Sequence, residues 1–372
     1  MEKKKIIAIA AACIACVVAL GAFFAFGGED EVVVTNETST MILTTMAITT
    51  TTEITTEPIV VEETNINRLT GLNTLTDEAV GSRPVAIMIN NMSGALPQYG
   101  IAAADIMFEI EVEGGITRMM AIYGDYTQVP KVCSIRSCRY YYPIFAHGFD
   151  AIYICYGSNE TLGTPTLISL GIDYFDGNQI SSSLFGRDAE RLLTYSSEHT
   201  AYIDGTLLED YLDSQGTRTD YDDGFDVNIF DFVDEVNFGV KTDVSTCSKV
   251  NLTFSDSYYS TFTYNEETNT YYKQHSGSAH IDSSTGEQLN YTNVFVLETD
   301  VTTYTDGYLM QVDWTGGTGY YVSGGYVQQI TWVKSTERDM IQVFDLDGNE
   351  IEVNSGNSYM GVIDYNSTTV TA

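Results

Sequence analysis

With 372 residues, the chain is long enough for two ordinary domains, each with its own core. A formal net charge of −34 excludes a nucleic-acid surface, since phosphate backbones are repelled by so acidic a protein. Twenty-six Tyr against 6 Pro describe a β-rich folded chain rather than a disordered one, because Tyr favours half-buried pleated surfaces.

Lys3, Lys4 and Lys5 precede an uncharged apolar run over residues 6–26. At about 1.5 Å per residue it is long enough to cross a hydrocarbon core, with the lysines kept inside. The expected organisation is a cytoplasmic stub at 1–5, one membrane-spanning anchor at 6–27 and a tether at 28–64. A cleaved signal peptide and a lipoprotein signal are the alternatives. The run is longer than a usual signal core, and neither Cys13 nor Cys16 stands in a lipobox context. Twelve threonines between residues 35 and 64, with glutamates and no Lys or Arg, read as an extended spacer.

From residue 65 the pattern is that of a folded ectodomain. Arg83-Pro84 leads into an unbroken apolar run at 85–89 that ends on Asn90-Asn91, as in a strand buried on both faces. At 106–113, Ile106, Phe108, Ile110 and Val112 alternate with Met107, Glu109, Glu111 and Glu113, a period of two. Gly114-Gly115 predicts a two-residue hairpin turn. That turn would set Glu113 opposite Ile116, Glu111 opposite Arg118 and Glu109 opposite Met120, with three carboxylates and one guanidinium on one face. Phe108, Ile110, Val112, Thr117, Met119 and Ala121 would fill the core from the other.

Carboxylates spaced along one strand repel and call for cations. Arg118, Lys131, Arg136 and Arg139 follow closely, a basic cluster in an acidic chain, which points to an ion-pair network or a pocket for an anionic group. A helix is expected at 140–147 and a buried strand at 151–155. His147 at the helix end reads as a cap rather than a base, and His199 before a helical stretch at 206–212 is read the same way.

The Asp-rich run 217–225 reads as a solvated linker. Asp220, Asp222, Asp223 and Asp226 lack the spacing of a calcium loop. Beyond it, alternating segments at 249–254, 260–264, 270–274, 292–297, 308–312, 319–322, 326–333 and 340–344 predict an antiparallel sheet, sandwich or partly open barrel. Trp332 reads as core, with a carbohydrate platform as the lesser reading. Cys133, Cys138, Cys155 and Cys247 show no zinc-type spacing and read as buried free thiols, with two disulfides as the alternative. The expected fold class is therefore α+β or mixed α/β: a mixed α/β domain at 65–216 and a β-rich antiparallel domain at 226–372, after one transmembrane helix. No cofactor motif is present, and no metal site is expected.

Several stretches carry a resemblance. RLTGL from Arg68, RPVAIMINN, PQYG, ADIMFEIEVEGGITR and SIRSCRYY resemble the N-terminal domain of the YerB-like lipoprotein family, domain of unknown function 3048. HID at His280, NVFVL, GGTGYYVSGG, TWVK and DLDGNEIEVNSGNSY resemble its C-terminal domain. The resemblance implies a two-domain envelope protein of Gram-positive bacteria and carries no established reaction. Matching the family's pattern are Asn90, Glu109, Glu113, Thr117, Arg118, Arg136 and Arg139, whereas a lipobox cysteine is missing.

The sequence favours a non-enzymatic, extracellular binding module on the cell membrane. In it Arg118, Arg136 and Arg139 meet an anionic wall component or a protein partner, supported by Asn90, Glu109, Glu111, Glu113 and Thr117. A wall hydrolase using Glu109 or Glu113 as acid or base is the alternative, although no nucleophile elbow, zinc triad or Cys and His pairing appears. A scaffold for other envelope proteins is the third reading.

Overall fold

The computed structural model describes residues 65–372 apart from 223, 226–228, 242 and 306. The expected anchor at 6–27, the tether at 28–64, Cys13, Cys16, Asp223 and Asp226 lie outside the described residues. Among the described residues, no helix is long and apolar enough to cross a membrane.

The first half contributes β1 (Val85–Asn90), β2 (Ile106–Val112), β3 (Ile116–Tyr123), α1 (Tyr141–Gly148), β4 (Ile152–Cys155), α2 (Gly163–Leu170), β5 (Tyr174–Asp176) and α3 (Leu208–Gln215). The second contributes β6 (Val244–Thr246), β7 (Lys249–Thr253), β8 (Tyr259–Asn265), β9 (Thr270–His275), β10 (Asn293–Thr299), β11 (Gly316–Ser323), β12 (Tyr326–Val333), β13 (Ser358–Asp364) and β14 (Thr368–Thr371). Shorter strands and single-turn helices fill the connections. At the coarse level the expectation is met: the protein is mostly β with few helices, and its sheets are mixed.

The two halves share one sheet. Its order runs β6-β12-β11-β10-β13-β2-β3-β1-β4-β5, with the short strand Gln342–Phe344 also paired to β12. At the seam, β13 from the chain's end lies parallel to β2, with Ser358 opposite Ile106 and Val362 opposite Ile110. On its other side β13 runs parallel to β10. An antiparallel second half was expected, and these two parallel pairings correct that. β10 is buried along its whole length, as strands in covered parallel arrangements are, which leaves the alternation signal nothing to report. β11 can approach β10 closely because Gly317 stands where a Cβ would lie 1.9 Å from the Glu298 carbonyl oxygen.

Each face of this sheet carries its own core. On one side Phe108, Ile110 and Met120 pack with α1, Phe108 stacking on Phe145 at 5.3 Å between ring centroids. Burying each such side chain contributes roughly 1.5–3 kcal/mol. On the other side Met107, Met119 and Ala121 pack against α3 and a second, antiparallel sheet containing β14, β7, β8 and β9. Trp332 is fully buried, its indole N–H donating to the Glu298 carbonyl at 3.2 Å, so it is core and not a platform. Cys133, Cys138, Cys155 and Cys247 are buried free thiols.

The β2–β3 hairpin differs from expectation by one residue. Its turn has three residues, Glu113 to Gly115, with both glycines left-handed at φ 78° and 70°. Val112 therefore faces Ile116, Glu111 faces Thr117, Ile110 faces Arg118 and Glu109 faces Met119. A one-residue slip sends a strand's side chains to opposite faces. Arg118 thus leaves the face of Glu109 and Glu111, and Thr117 and Met119 join it.

The Asp-rich segment is pinned rather than free. Arg218 pairs with Asp150 at 2.8 Å, Asp222 pairs with Arg338, and Asp220 bridges to Ser82.

Because β2 and β13 complete each other's hydrogen bonding, neither half is expected to fold cooperatively alone. Residues 65–216 produced alone should lack a sharp near-ultraviolet unfolding transition, and adding residues 226–372 should restore it. A cooperative transition from 65–216 alone would show that the seam is dispensable.

Candidate functional site

Glu109 lies mid-strand at the seam, and both faces of the sheet are covered, so its carboxylate cannot reach water. It is wholly buried. Asn91 and Thr117 donate to its Oε1 at 2.9 and 2.7 Å. Ser260 and Tyr359 donate to Oε2 at 2.9 and 2.8 Å, the latter from 250 residues away in the chain. The fifth partner is Lys273, 3.1 Å from Oε2 and as deeply buried. Burial alone pushes the Glu109 carboxyl up, but the Lys273 charge and this ring of donors hold it below the usual carboxylate range.

The hydrogen bonds fix the protonation of the rest. Lys273 Nζ meets three acceptors, Glu109, the Ser260 hydroxyl at 2.8 Å and His280 Nδ1 at 3.2 Å, which suits an ammonium. His280 Nδ1 then accepts, so its Nε2–H donates to Gln98 Oε1 at 3.0 Å. Burial and the Lys273 charge keep His280 neutral, its pKa well below the ordinary histidine value. The Gln98 amide donates to the Asn90 carbonyl at 2.8 Å and the Asn91 side chain at 3.3 Å, closing the loop. His275, 3.4 Å from Asn91, has a pKa lowered to about 4, first by burial and then by Lys273.

This network ties β1, the β1–β2 loop, β2 and β3 of the first half to β8, β9, β13 and the His280 segment of the second. It is sealed, so its role is to hold the two halves in register. Sequence reasoning singled out Glu109, Thr117 and His280 but not Lys273, Ser260, His275, Gln98 or Tyr359. One signal was available. The alternation of β9 puts Lys273 inward beside Tyr271 and His275, and an inward Lys demands a buried anion.

The basic residues gather elsewhere, at the hairpin turn and the loop before α1. Arg139 forks onto Glu113, Nη2 donating to Oε2 at 2.7 Å and Nε to Oε1. Arg118 Nη1 donates to the Ser137 carbonyl at 2.6 Å. Arg136 Nη2 reaches Glu198 Oε2 at 2.5 Å, while its buried Nε has no hydrogen-bond partner. Burial, then the charges of Arg139 and Arg136, lower the Arg118 pKa to about 10.

The other predicted residues are dispersed. Asn90 turns its amide to His199 Nδ1 at 3.0 Å. Lys131 lies over the Tyr202 ring at 3.9 Å. His147, in the last turn of α1, has its pKa lowered by burial and by Arg338 and Lys334, away from the carboxylates. Glu111 is pushed up to about 7 by burial and by Asp364 on β13, not balanced by Arg118.

The architecture defines a class: a β-rich protein whose two halves share one sheet and are locked by a buried ion pair. Residues 69–218 match the N-terminal domain, and residues 250–360 the C-terminal domain, described as "Protein of unknown function (DUF3048)", and the chain belongs to this family. It is 28% identical over 272 residues to "Putative lipoprotein YerB" of Bacillus subtilis (strain 168), covering 71% of this chain and 76% of that protein. Its fold is similar to the crystal structure of the YerB protein from Bacillus subtilis, with a TM-score of 0.68 at 23% identity over 82% of this chain and 99% of that one.

Removing one partner of a buried ion pair costs about 3–5 kcal/mol, whereas replacing both costs less. Lys273→Met and Glu109→Gln should each lower stability by that order, and the double variant should be more stable than Lys273→Met; urea denaturation of all three checks this. Glu111 carries a second prediction. Its unfolded pKa is about 4.3, so the unfolded chain ionises first and stability falls as pH rises from there through about 7. Glu111→Gln should therefore raise Tm at about pH 8 and lose that advantage by about pH 3, where wild type is protonated in both states.

Proposed function

We propose that this chain is an extracellular envelope protein, held at the membrane by residues 6–27 and spaced from it by 28–64, whose folded part binds an anionic wall component or protein partner. The observation that carries the reading is the convergence of Arg118, Arg136 and Arg139 in a chain of net charge −34, Arg118 donating to the carbonyl of Ser137, which lies between the other two. Only Arg139 is fully committed, to Glu113. Arg118 is buried and spends one donor on a carbonyl, so Arg136 is the more accessible of the two: it pairs at its exposed end with Glu198 while its buried Nε is unpartnered. Guanidinium forks with free donors suit phosphate and carboxylate groups. The relative's description as a lipoprotein supports an envelope location.

The carboxylates a hydrolase would use give that alternative no support. Glu109 is sealed against Lys273, and Glu113 is held by Arg139.

The test is binding of the full chain to purified cell wall and to anionic wall polymer. Each charge-assisted hydrogen bond contributes about 1.5–3 kcal/mol, so Arg136→Ala should weaken binding by about tenfold or more. Its Tm should stay near that of wild type, since the Glu198 pair is at the surface. Unaltered binding, or wild type that binds neither material, refutes the proposal.

A further inference from the structure

Between β10 and β11 the chain makes a small ribbon, Val301–Thr303 paired with Met310–Val312, with Thr302 opposite Gln311. The Asp313 amide donates to the Asp300 carbonyl at 3.0 Å and extends the ladder. Alternation sends Val301 and Val312 inward and brings Asp300, Thr302, Gln311 and Asp313 together on the opposite, exposed face. By itself this would be an ordinary solvated ribbon face.

Two aromatic side chains make it concave. Tyr140, from the loop before α1, and Trp314, just beyond the ribbon, line one cavity of about 580 Å³ with those four polar residues. Both rings are half-buried and packed on the core, which fixes their positions. The Tyr140 hydroxyl accepts from the Val312 amide at 3.1 Å, anchoring the first half's aromatic to the ribbon of the second. The volume lies in the range of small-molecule sites.

The chemistry of the walls selects the occupant. Indole and phenol faces gain by covering the apolar C–H face of a flat, saturated ring. Carboxylates, an amide and a hydroxyl around them provide acceptors and donors for a ring bearing many hydroxyl groups. Asp300 and Asp313 would repel an anion. We infer that Tyr140, Trp314, Asp300, Thr302, Gln311 and Asp313 form a subsite for an uncharged oligosaccharide. It does not rest on the arginine reading, although Tyr140 and Arg139 are chain neighbours and set the two sites side by side.

The chain has two Trp, and Trp332 is sealed in the core, so a ligand-induced change in Trp emission reports Trp314. The full chain, kept in a detergent without sugar head groups, is titrated with the N-acetylglucosamine tetrasaccharide and separately with its de-N-acetylated, cationic counterpart. A saturable change with the neutral sugar is expected, weakened by about tenfold in Asp300→Ala and in Gln311→Ala and unaltered in Arg136→Ala. Both substituted side chains are exposed, so the variants should retain the wild-type Tm. No saturable change with the neutral sugar, binding of the cationic sugar alone, or wild-type affinity in both variants would overturn the assignment.

Discussion

The structure depends on one ion pair that never meets water. Glu109 and Lys273 come from different halves, and each is inadmissible inside a protein without the other. Their attraction alone would not offset the loss of hydration. What makes the pair tolerable is the surrounding set of neutral donors and acceptors, because every remaining lone pair and proton finds a partner in Asn91, Thr117, Ser260, Tyr359 or His280. Those partners come from both halves, so the network is complete only when β13 lies beside β2 and β9 packs across them. Shape-based packing alone would admit neighbouring registers; this polar network accepts one.

Much of the architecture was legible because strands announce themselves by period. The hairpin's two strands, the buried run at 85–89 and the span of β12 follow from alternation or unbroken apolarity. Register was not legible. Gly114-Gly115 fits a two-residue turn, and nothing local says that Glu113 joins it, yet that one residue decides whether Arg118 stands with the glutamates or against them. The parallel seam was hidden for a different reason. Its partners are distant in the chain, and strands covered on both faces have no polar side to advertise their direction. The candidate site divided in the same way. Neighbouring arginines suggested their own convergence, whereas Lys273 looked like any strand lysine until its alternation with Tyr271 and His275 was taken with burial on both sides.

The functional readings share a logic of placement. The arginine cluster lies at the β2–β3 turn and the loop leading into α1, and the aromatic cavity uses the next residue of that loop together with the ribbon from the second half. The arginine cluster is built from the first half alone, whereas the aromatic cavity is composite and absent from either half by itself. Tyr140 shows this most plainly, since its ring belongs to the first half and its hydroxyl is fixed by the backbone of the second.

The position of β13 also constrains how the protein is made. A chain synthesised from its N-terminus completes β1, β2 and β3 early, but the strand that closes the open edge of β2 begins only at residue 358 of 372. Until residue 358 is made, that edge offers unpaired backbone groups beside a carboxylate whose cation comes 164 residues later in the chain, an arrangement prone to pairing with the wrong chain. At a net charge of −34, mutual repulsion between nascent copies disfavours such pairing until each edge receives its own β13.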